Sequence, residues 1–250
     1  MTMENPARLW VVVPAAGSSR RIGASTPKQY TKLLGKTVLE WALAPFLERD
    51  DLAGVVVVLA PNDAYWDESP LAAERRIRVA TGGAERVHSV LAGLNALAEA
   101  QEEEQNQHAR DRDWVLVHDA ARPCLRSSDL TRLIDELVND EVGGLLAAPS
   151  VDTLKRADGA DRVVETVTRD LLWRALTPQM FRFGLLRQAL MLAVDNNVVV
   201  TDESQAIEGL GLRPRLVSGD PDNIKITTAG DFERAERILR ARTKSAPAAP

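Results

Sequence analysis

Short apolar runs alternate with amphipathic stretches along most of the chain. Leu9 to Val13, Gly54 to Leu59, Ile77 to Ala80, Trp114 to His118 and Leu145 to Ala148 are rich in Val, Leu and Ile. Each is followed within two residues by Pro, Gly or Asp, which predicts short strands buried on both faces. Val38 to Glu48, Glu85 to Ala100, Ser128 to Val138 and Leu185 to Val194 carry apolar residues at helical spacing and predict helices between or after those strands. Thr228-Ala229-Gly230-Asp231 has the form of a capping box and predicts a helix over Phe232 to Arg240. Strands alternating with helices imply an α/β fold, a mostly parallel Rossmann-like sheet covered by helices on both faces. In such a sheet ligands sit at the carboxyl ends of the strands.

One segment breaks the pattern. Val151 to Ala157 and Arg162 to Val167 alternate like two strands, joined by Asp158-Gly159-Ala160-Asp161. A hairpin with so few apolar residues needs a partner surface, so a projecting β-hairpin arm is expected over 151–169. Gln101 to Asp113 is charge-rich and reads as a solvated helix end or loop. The Ala/Pro-rich residues 244–250 read as a disordered tail, leaving residues 1–243 as a single domain.

Composition narrows the function. A chain of 250 residues with 45% hydrophobic and 27% charged residues has ample length for one large core. The net charge of -5 argues against a general nucleic-acid binder, which needs a basic face. Cys124 is the sole cysteine, so no intrachain disulfide forms, and it reads as a small buried hydrophobe. The residues before Leu9 lack an apolar stretch of signal length and no run is long enough to span a bilayer. A cytoplasmic enzyme, with no membrane or nucleic-acid partner, is expected.

Against that acidic background, local cations stand out. The strand at Leu9 to Val13 runs through Pro14 into Ala15-Ala16-Gly17, a turn of small residues followed by Arg20, Arg21 and, in Pro27-Lys28-Gln29-Tyr30, by Lys28. Small residues let backbone N–H groups approach phosphate oxygens, and the cations supply charge there, a combination suited to a triphosphate. The spacing fits neither the Walker P-loop nor the dinucleotide fingerprint. Gly82-Gly83 and Asp119 also follow predicted strands, so both converge on the same sheet edge. His88 reads as a polar helix residue, and with His108 and His118 the only other histidines no metal cluster is suggested.

Further motifs appear in order: Gly82-Gly83-Ala84-Glu85-Arg86-Val87-His88-Ser89-Val90, Val117-His118-Asp119-Ala120-Ala121-Arg122-Pro123, Asp152-Thr153-Leu154-Lys155, Thr201-Asp202-Glu203 and Asp222-Asn223-Ile224-Lys225. With the first segment they resemble the 2-C-methyl-D-erythritol 4-phosphate cytidylyltransferase family, from about Leu9 to about Arg240. The resemblance implies a nucleotidyltransferase sheet and transfer of a cytidylyl group from CTP to the erythritol phosphate, releasing pyrophosphate. It implies that Arg21, Lys28 and Lys225 stabilise the reacting α-phosphate. Pro14, Ala15, Ala16, Gly17, Gly83, Ala84, Ser89 and Ala120 match positions that contact CTP. Asp119, Arg122, Thr153, Arg169 and Lys225 match the acceptor site, with Thr153 and Arg169 (the latter also counted as catalytic) reaching in from a partner's arm in a homodimer. Magnesium is implied on the CTP triphosphate, with direct ligation by Asp119 left open.

Ser19 and Ala84 depart from the family pattern, where glycine and an acidic residue are usual. Arg20 reads as a phosphate cation, a carboxylate partner or a solvent-facing side chain, Arg86 as an anchor for its loop, and Asp202 equally as a helix N-cap or a site residue. A cytidylyltransferase for another polyol phosphate such as ribitol 5-phosphate is the nearest alternative. A nucleotide-binding regulator without turnover is another, although it has no need of transition-state cations. A glycosyltransferase would present Asp-x-Asp after a strand, whereas Asp111-Arg112-Asp113 precedes one.

Overall fold

A computed structural model of the chain describes residues 7–17, 26–99 and 109–245. The elements are β1 (Leu9–Pro14), β2 (Lys32–Leu33), β3 (Lys36–Thr37), α1 (Val38–Leu47), β4 (Leu52–Leu59), β5 (Ile77–Thr81), α2 (Arg86–Ala98), β6 (Trp114–Val117), α3 (Ser127–Leu137) and β7 (Gly143–Pro149). After these come β8 (Leu154–Ala157), β9 (Val163–Val167), β10 (Trp173–Arg182), α4 (Phe183–Asp195), α5 (Glu203–Glu208), β11 (Arg215–Ser218) and α6 (Ala229–Ser245). Among the described residues no helix is long and apolar enough to cross a membrane.

Seven strands form one sheet in the order β11-β7-β10-β6-β1-β4-β5. Only β10 runs antiparallel to its neighbours. Period-two alternation sorts the strand side chains onto two faces. Val11, Val13, Val55, Val57 and Leu116 pack with Leu39, Leu43 and Phe46 of α1 and Leu130, Leu133 and Leu137 of α3. Trp10, Val12, Val56, Val58, Val115 and Val117 pack on the other side with Val90, Leu94 and Leu97 of α2 and Leu186 and Leu190 of α4. Each such aliphatic side chain contributes roughly 1.5–3 kcal/mol on burial, so the central strands form a rigid platform. Helix α2 lies close on it: a Cβ at Gly93 would meet Val12 Cγ1 at 2.6 Å and Val58 Cγ2 at 3.0 Å.

The strands expected from the pattern are present, and three features were not legible. Pro178 interrupts the apolar run of β10, which demotes that segment as a strand. The sheet accommodates it by a register shift between Ala175 and Gln179, where the Thr177–Pro178 peptide is cis. Strand β11 buries only Val217, too little for a periodic signal, and β2 and β3 are two residues each. Helix α6 runs past its expected end at Arg240 to Ser245, taking in Lys244 and Ser245 of the expected tail. Arg242 donates to the Cys124 carbonyl at 2.8 Å, and no breaker intervenes before Pro247, which disfavours helix only at Ala246. Residues 246–250 lie outside the described residues.

The charge-rich segment before β6 also differs from expectation. Residues 101–108, His108 among them, lie outside the described residues, but Asp113 is buried rather than solvated. Its carboxylate accepts from the N–H and guanidinium of Arg8, from Trp10 Nε1 and from the Arg110 N–H. Asp113 thus braces the amino-terminal ends of β1 and β6 and offers nothing to a metal ion.

The hairpin appears where expected. β8 and β9 pair antiparallel, Leu154 with Val167 and Arg156 with Glu165. Its turn is closed by Asp158, whose Oδ1 accepts from the Ala160 and Arg162 N–H groups. Every residue of the two strands is exposed except half-buried Val167.

Candidate active site

The carboxyl end of β1 continues its pairing for one residue, the Ala15 N–H donating to the Val58 carbonyl at 2.7 Å. The loop then turns away and is held by Gln29, whose buried amide donates to the Ala15 carbonyl at 2.8 Å. This clamp is not legible in Pro27-Lys28-Gln29-Tyr30, because a glutamine between a cation and an aromatic carries no periodic signal. Lys28 stands beside it and donates Nζ to the Ile226 carbonyl at 2.9 Å, while the Ile226 N–H donates to the Ala121 carbonyl at 2.8 Å. The segment bearing Lys225 is thereby fixed to the loop after β6.

Across the cleft, Gly82 follows β5. A Cβ there would lie 2.7 Å from both Ala16 Cβ and Ser89 Oγ, and one at Gly83 would lie 2.5 Å from His88 Cβ. These glycines are therefore required by the close passage of their loop between the β1 turn and α2. The result is a cleft of about 280 Å³ lined by Pro14, Ala15, Ala16, Gly17, Lys28, Gly83, Ala84, Ser89, Asp119, Ala120 and Lys225. Gln29, Glu85, Arg86 and Ala121 complete it.

A second cleft of about 150 Å³ adjoins it. Arg86, Asp119 and Lys225 line both; Arg122, Thr177, Gln179, Thr201 and Asp202 line the second alone. Asp119 stands at the junction. Its Oδ1 accepts from Arg86 Nε at 3.2 Å, and its Oδ2 meets Lys225 Nζ at 3.0 Å and Arg122 Nε at 3.3 Å. Burial opposes the charge on Asp119, but Arg86, Lys225 and Arg122 outweigh it and hold the carboxyl well below the ordinary carboxylate range. Arg122 also donates to the Asn223 carbonyl at 2.7 Å.

Behind this cluster lies His118, fully buried. Its Nε2 sits 3.2 Å from the Arg122 carbonyl, an acceptor, so Nε2 carries the proton and Nδ1 accepts from the Thr177 hydroxyl at 2.9 Å. Thr177 Oγ1 in turn accepts from the Asp119 N–H at 3.1 Å. Burial is the main cause that moves the imidazole pKa from 6.5 down to about 4. The folded protein thus takes up this proton less readily than the unfolded chain. Stability from this group is fully present above about pH 6.5 and is lost as pH falls toward 4, by on the order of 3 kcal/mol. Urea unfolding between pH 7 and pH 4 should show this loss, and His118→Gln should flatten it; an unchanged slope in the variant would assign it to other groups.

Of the remaining sequence-predicted residues, Thr153 and Arg169 fall outside the two clefts. Thr153 and Arg169 are exposed on the arm, Arg169 Nη1 donating to the Val151 carbonyl. Arg21, with Arg20 and Ser19, lies outside the described residues. Asp202 caps α5, Oδ1 accepting from the Gln205 N–H at 2.9 Å, and also lines the second cleft. Thr177 and Gln179 carry no signal of their own because the strand that bears them, β10, is interrupted by Pro178.

No group of three or more His, Cys, Asp or Glu side chains among the described residues could cage a metal ion. Both oxygens of Asp119 already face cations. What the clefts offer is a cationic wall, with Arg86, Arg122 and Lys225 gathered on Asp119 and Lys28 beside them, and small residues and main chain opposite.

A family model described as IspD, 2-C-methyl-D-erythritol 4-phosphate cytidylyltransferase, matches residues 9–241. The cytidylyltransferase of that name from Pseudomonas savastanoi pv. phaseolicola is 53% identical over 224 residues, 90% of this chain and 92% of that protein. A crystal structure of 4-diphosphocytidyl-2C-methyl-D-erythritol synthase superposes with a TM-score of 0.79 at 39% identity, covering 94% of this chain and 100% of the other. The enzyme from Thermus thermophilus gives a TM-score of 0.74 at 30% identity, covering 93% and 99%. With its clefts at the carboxyl edge of a matching sheet, the chain belongs to the 2-C-methyl-D-erythritol 4-phosphate cytidylyltransferase family.

Proposed function

We propose that the two joined clefts carry out cytidylyl transfer from CTP to 2-C-methyl-D-erythritol 4-phosphate, CTP in the larger and the acceptor in the smaller. The observation that carries this assignment is the cation cluster at their junction, where Lys225, Arg86 and Asp119 line both spaces. An acceptor phosphate oxygen attacks the α-phosphorus of CTP; the new P–O bond forms as the bond to pyrophosphate breaks. The nucleophile is already anionic, so no general base is needed. The task is to hold two repelling anions in line and to stabilise the charge of the transition state.

Lys28 and Lys225, with Arg21, take the α-phosphate. Ala15, Ala16, Gly17, Gly83, Ala84, Ser89 and Ala120 offer main chain and a hydroxyl to the nucleotide, with Pro14 setting the turn. Asp119 and Arg122 take the acceptor. Magnesium would be held by triphosphate oxygens and water, with Glu85 and Asp119 the carboxylates lining that cleft; when bound it neutralises triphosphate charge.

Thr153 and Arg169 act in a neighbouring subunit's site within a cytoplasmic homodimer. Support comes from the exposed apolar side chains in and around the arm, Val151 at 76%, Val163 and Val164 at 63% and Leu171 at 93%, a surface that calls for a cover. Deletion of residues 157–163 is expected to yield monomers without activity, read by light scattering and turnover; a fully active monomer would refute the shared site. Pyrophosphate release with CTP and a panel of polyol phosphates tests the reaction itself. Turnover is expected with the methylerythritol phosphate, and preference for ribitol 5-phosphate would reassign the acceptor.

A further inference from the structure

Glu203 is 1% exposed, the first residue of α5, and faces the cation cluster from behind the second cleft. It grips Arg86 with both oxygens, Nη1 to Oε1 at 2.5 Å and Nη2 to Oε2 at 3.1 Å. The placement is enforced from β10: Gln179, also buried, donates Nε2 to Asp202 Oδ2 at 3.0 Å and accepts from the Ser204 N–H at 2.7 Å. One amide thus clamps the residues on either side of Glu203. Arg86 spends its remaining nitrogen on Asp119, so its guanidinium is stretched between two carboxylates. Three cations, Arg86, Arg122 and Lys225, share Asp119 and Glu203, leaving one net positive charge.

We propose that Glu203 is a positioning residue for the transfer: it holds Arg86 against Asp119 and keeps that guanidinium off the nucleotide phosphates. The inference rests on the CTP reading above. When substrates arrive and Lys225 turns to phosphate, Asp119 still has a fixed cationic partner in Arg86 and stays oriented toward the second cleft. Without the Glu203 charge, Arg86 faces the larger cleft with one shared carboxylate partner, and a guanidinium so placed forks onto phosphate oxygens. Such a grip strengthens ground-state binding of CTP without strengthening the transition state, and slows turnover.

The test is Glu203→Gln, which keeps shape and removes charge, read by calorimetric CTP binding without acceptor and by steady-state turnover with it. CTP Kd is expected to fall threefold or more while kcat falls about tenfold. Adding Arg86→Gln should reverse the tighter binding and leave kcat low. Glu203→Asp keeps the charge and should give a CTP Kd within twofold of the parent with kcat between the parent's and that of Glu203→Gln. Unchanged or weaker CTP binding in Glu203→Gln, or tighter binding that survives the loss of Arg86, overturns the proposal. Should Glu203→Gln fail to fold, Glu203→Asp decides, since parental kcat or weakened CTP binding in it overturns the proposal too. Failure of the parent to turn over CTP would instead refute the reaction assignment, and the calorimetry reads independently of it.

Discussion

Alanine in place of Lys28 is expected to lower kcat by about 10²-fold or more, the scale of one lost electrostatic contact to a transition state. Lys28 is half-buried on the wall of the larger cleft and oriented by its bond to the Ile226 carbonyl. Its ammonium is therefore preorganised, and water replacing it must reorganise as charge builds on the α-phosphate. CTP binding should suffer less, because Lys225 and the main chain remain. The fold should survive: a carbonyl next to a solvent-filled cleft can bond water, and a hydrogen bond of this kind contributes about 1 kcal/mol. Stopped-flow or steady-state kinetics with circular dichroism checks both halves. A kcat near that of the parent would remove Lys28 from the reacting centre.

Arg169→Ala is expected to raise the acceptor KM and to lower kcat together, leaving CTP binding largely intact. An arginine fork on the acceptor phosphate also aims its attacking oxygen, so affinity and alignment are lost at once. Within one chain Arg169 lies on the exposed arm outside both clefts, and on the proposed reading its contribution crosses to another subunit. Mixing Arg169→Ala with Lys28→Ala tests this directly. If each site draws Lys28 from one chain and Arg169 from the other, a heterodimer holds one doubly damaged site and one intact site, and partial activity returns. No recovery after verified subunit exchange would confine Arg169 to its own chain.

Much of the fold was legible because its central strands are buried on both faces. The runs at Leu9, Gly54 and Trp114 are almost uninterrupted valine, leucine and tryptophan, and burial of that kind leaves no polar positions to confuse the period. What escaped was structure whose stability comes from tertiary partners. β10 tolerates Pro178 through its register shift, and β11 survives as an edge with one buried residue. The glycine loop, the turn after β1 and the Asp119 loop could be placed from the strands they follow. The wiring among them could not: Gln29, Thr177 and Glu203 are polar residues whose importance lies in partners 14, 58 and 117 positions away. No local pattern encodes such distances.

The bond from Lys28 to the Ile226 carbonyl spans 198 positions, and that separation governs when function appears during synthesis. A nascent chain that has released every strand through β11 has the platform and the glycine loop, yet Lys225 and Ile226 still follow β11 in the chain. Contacts this far apart close late, since the loop entropy they must overcome grows with separation. The protein should therefore acquire its turnover only once residues 225 and 226 have been released, and chains terminated before residue 225 should be inert.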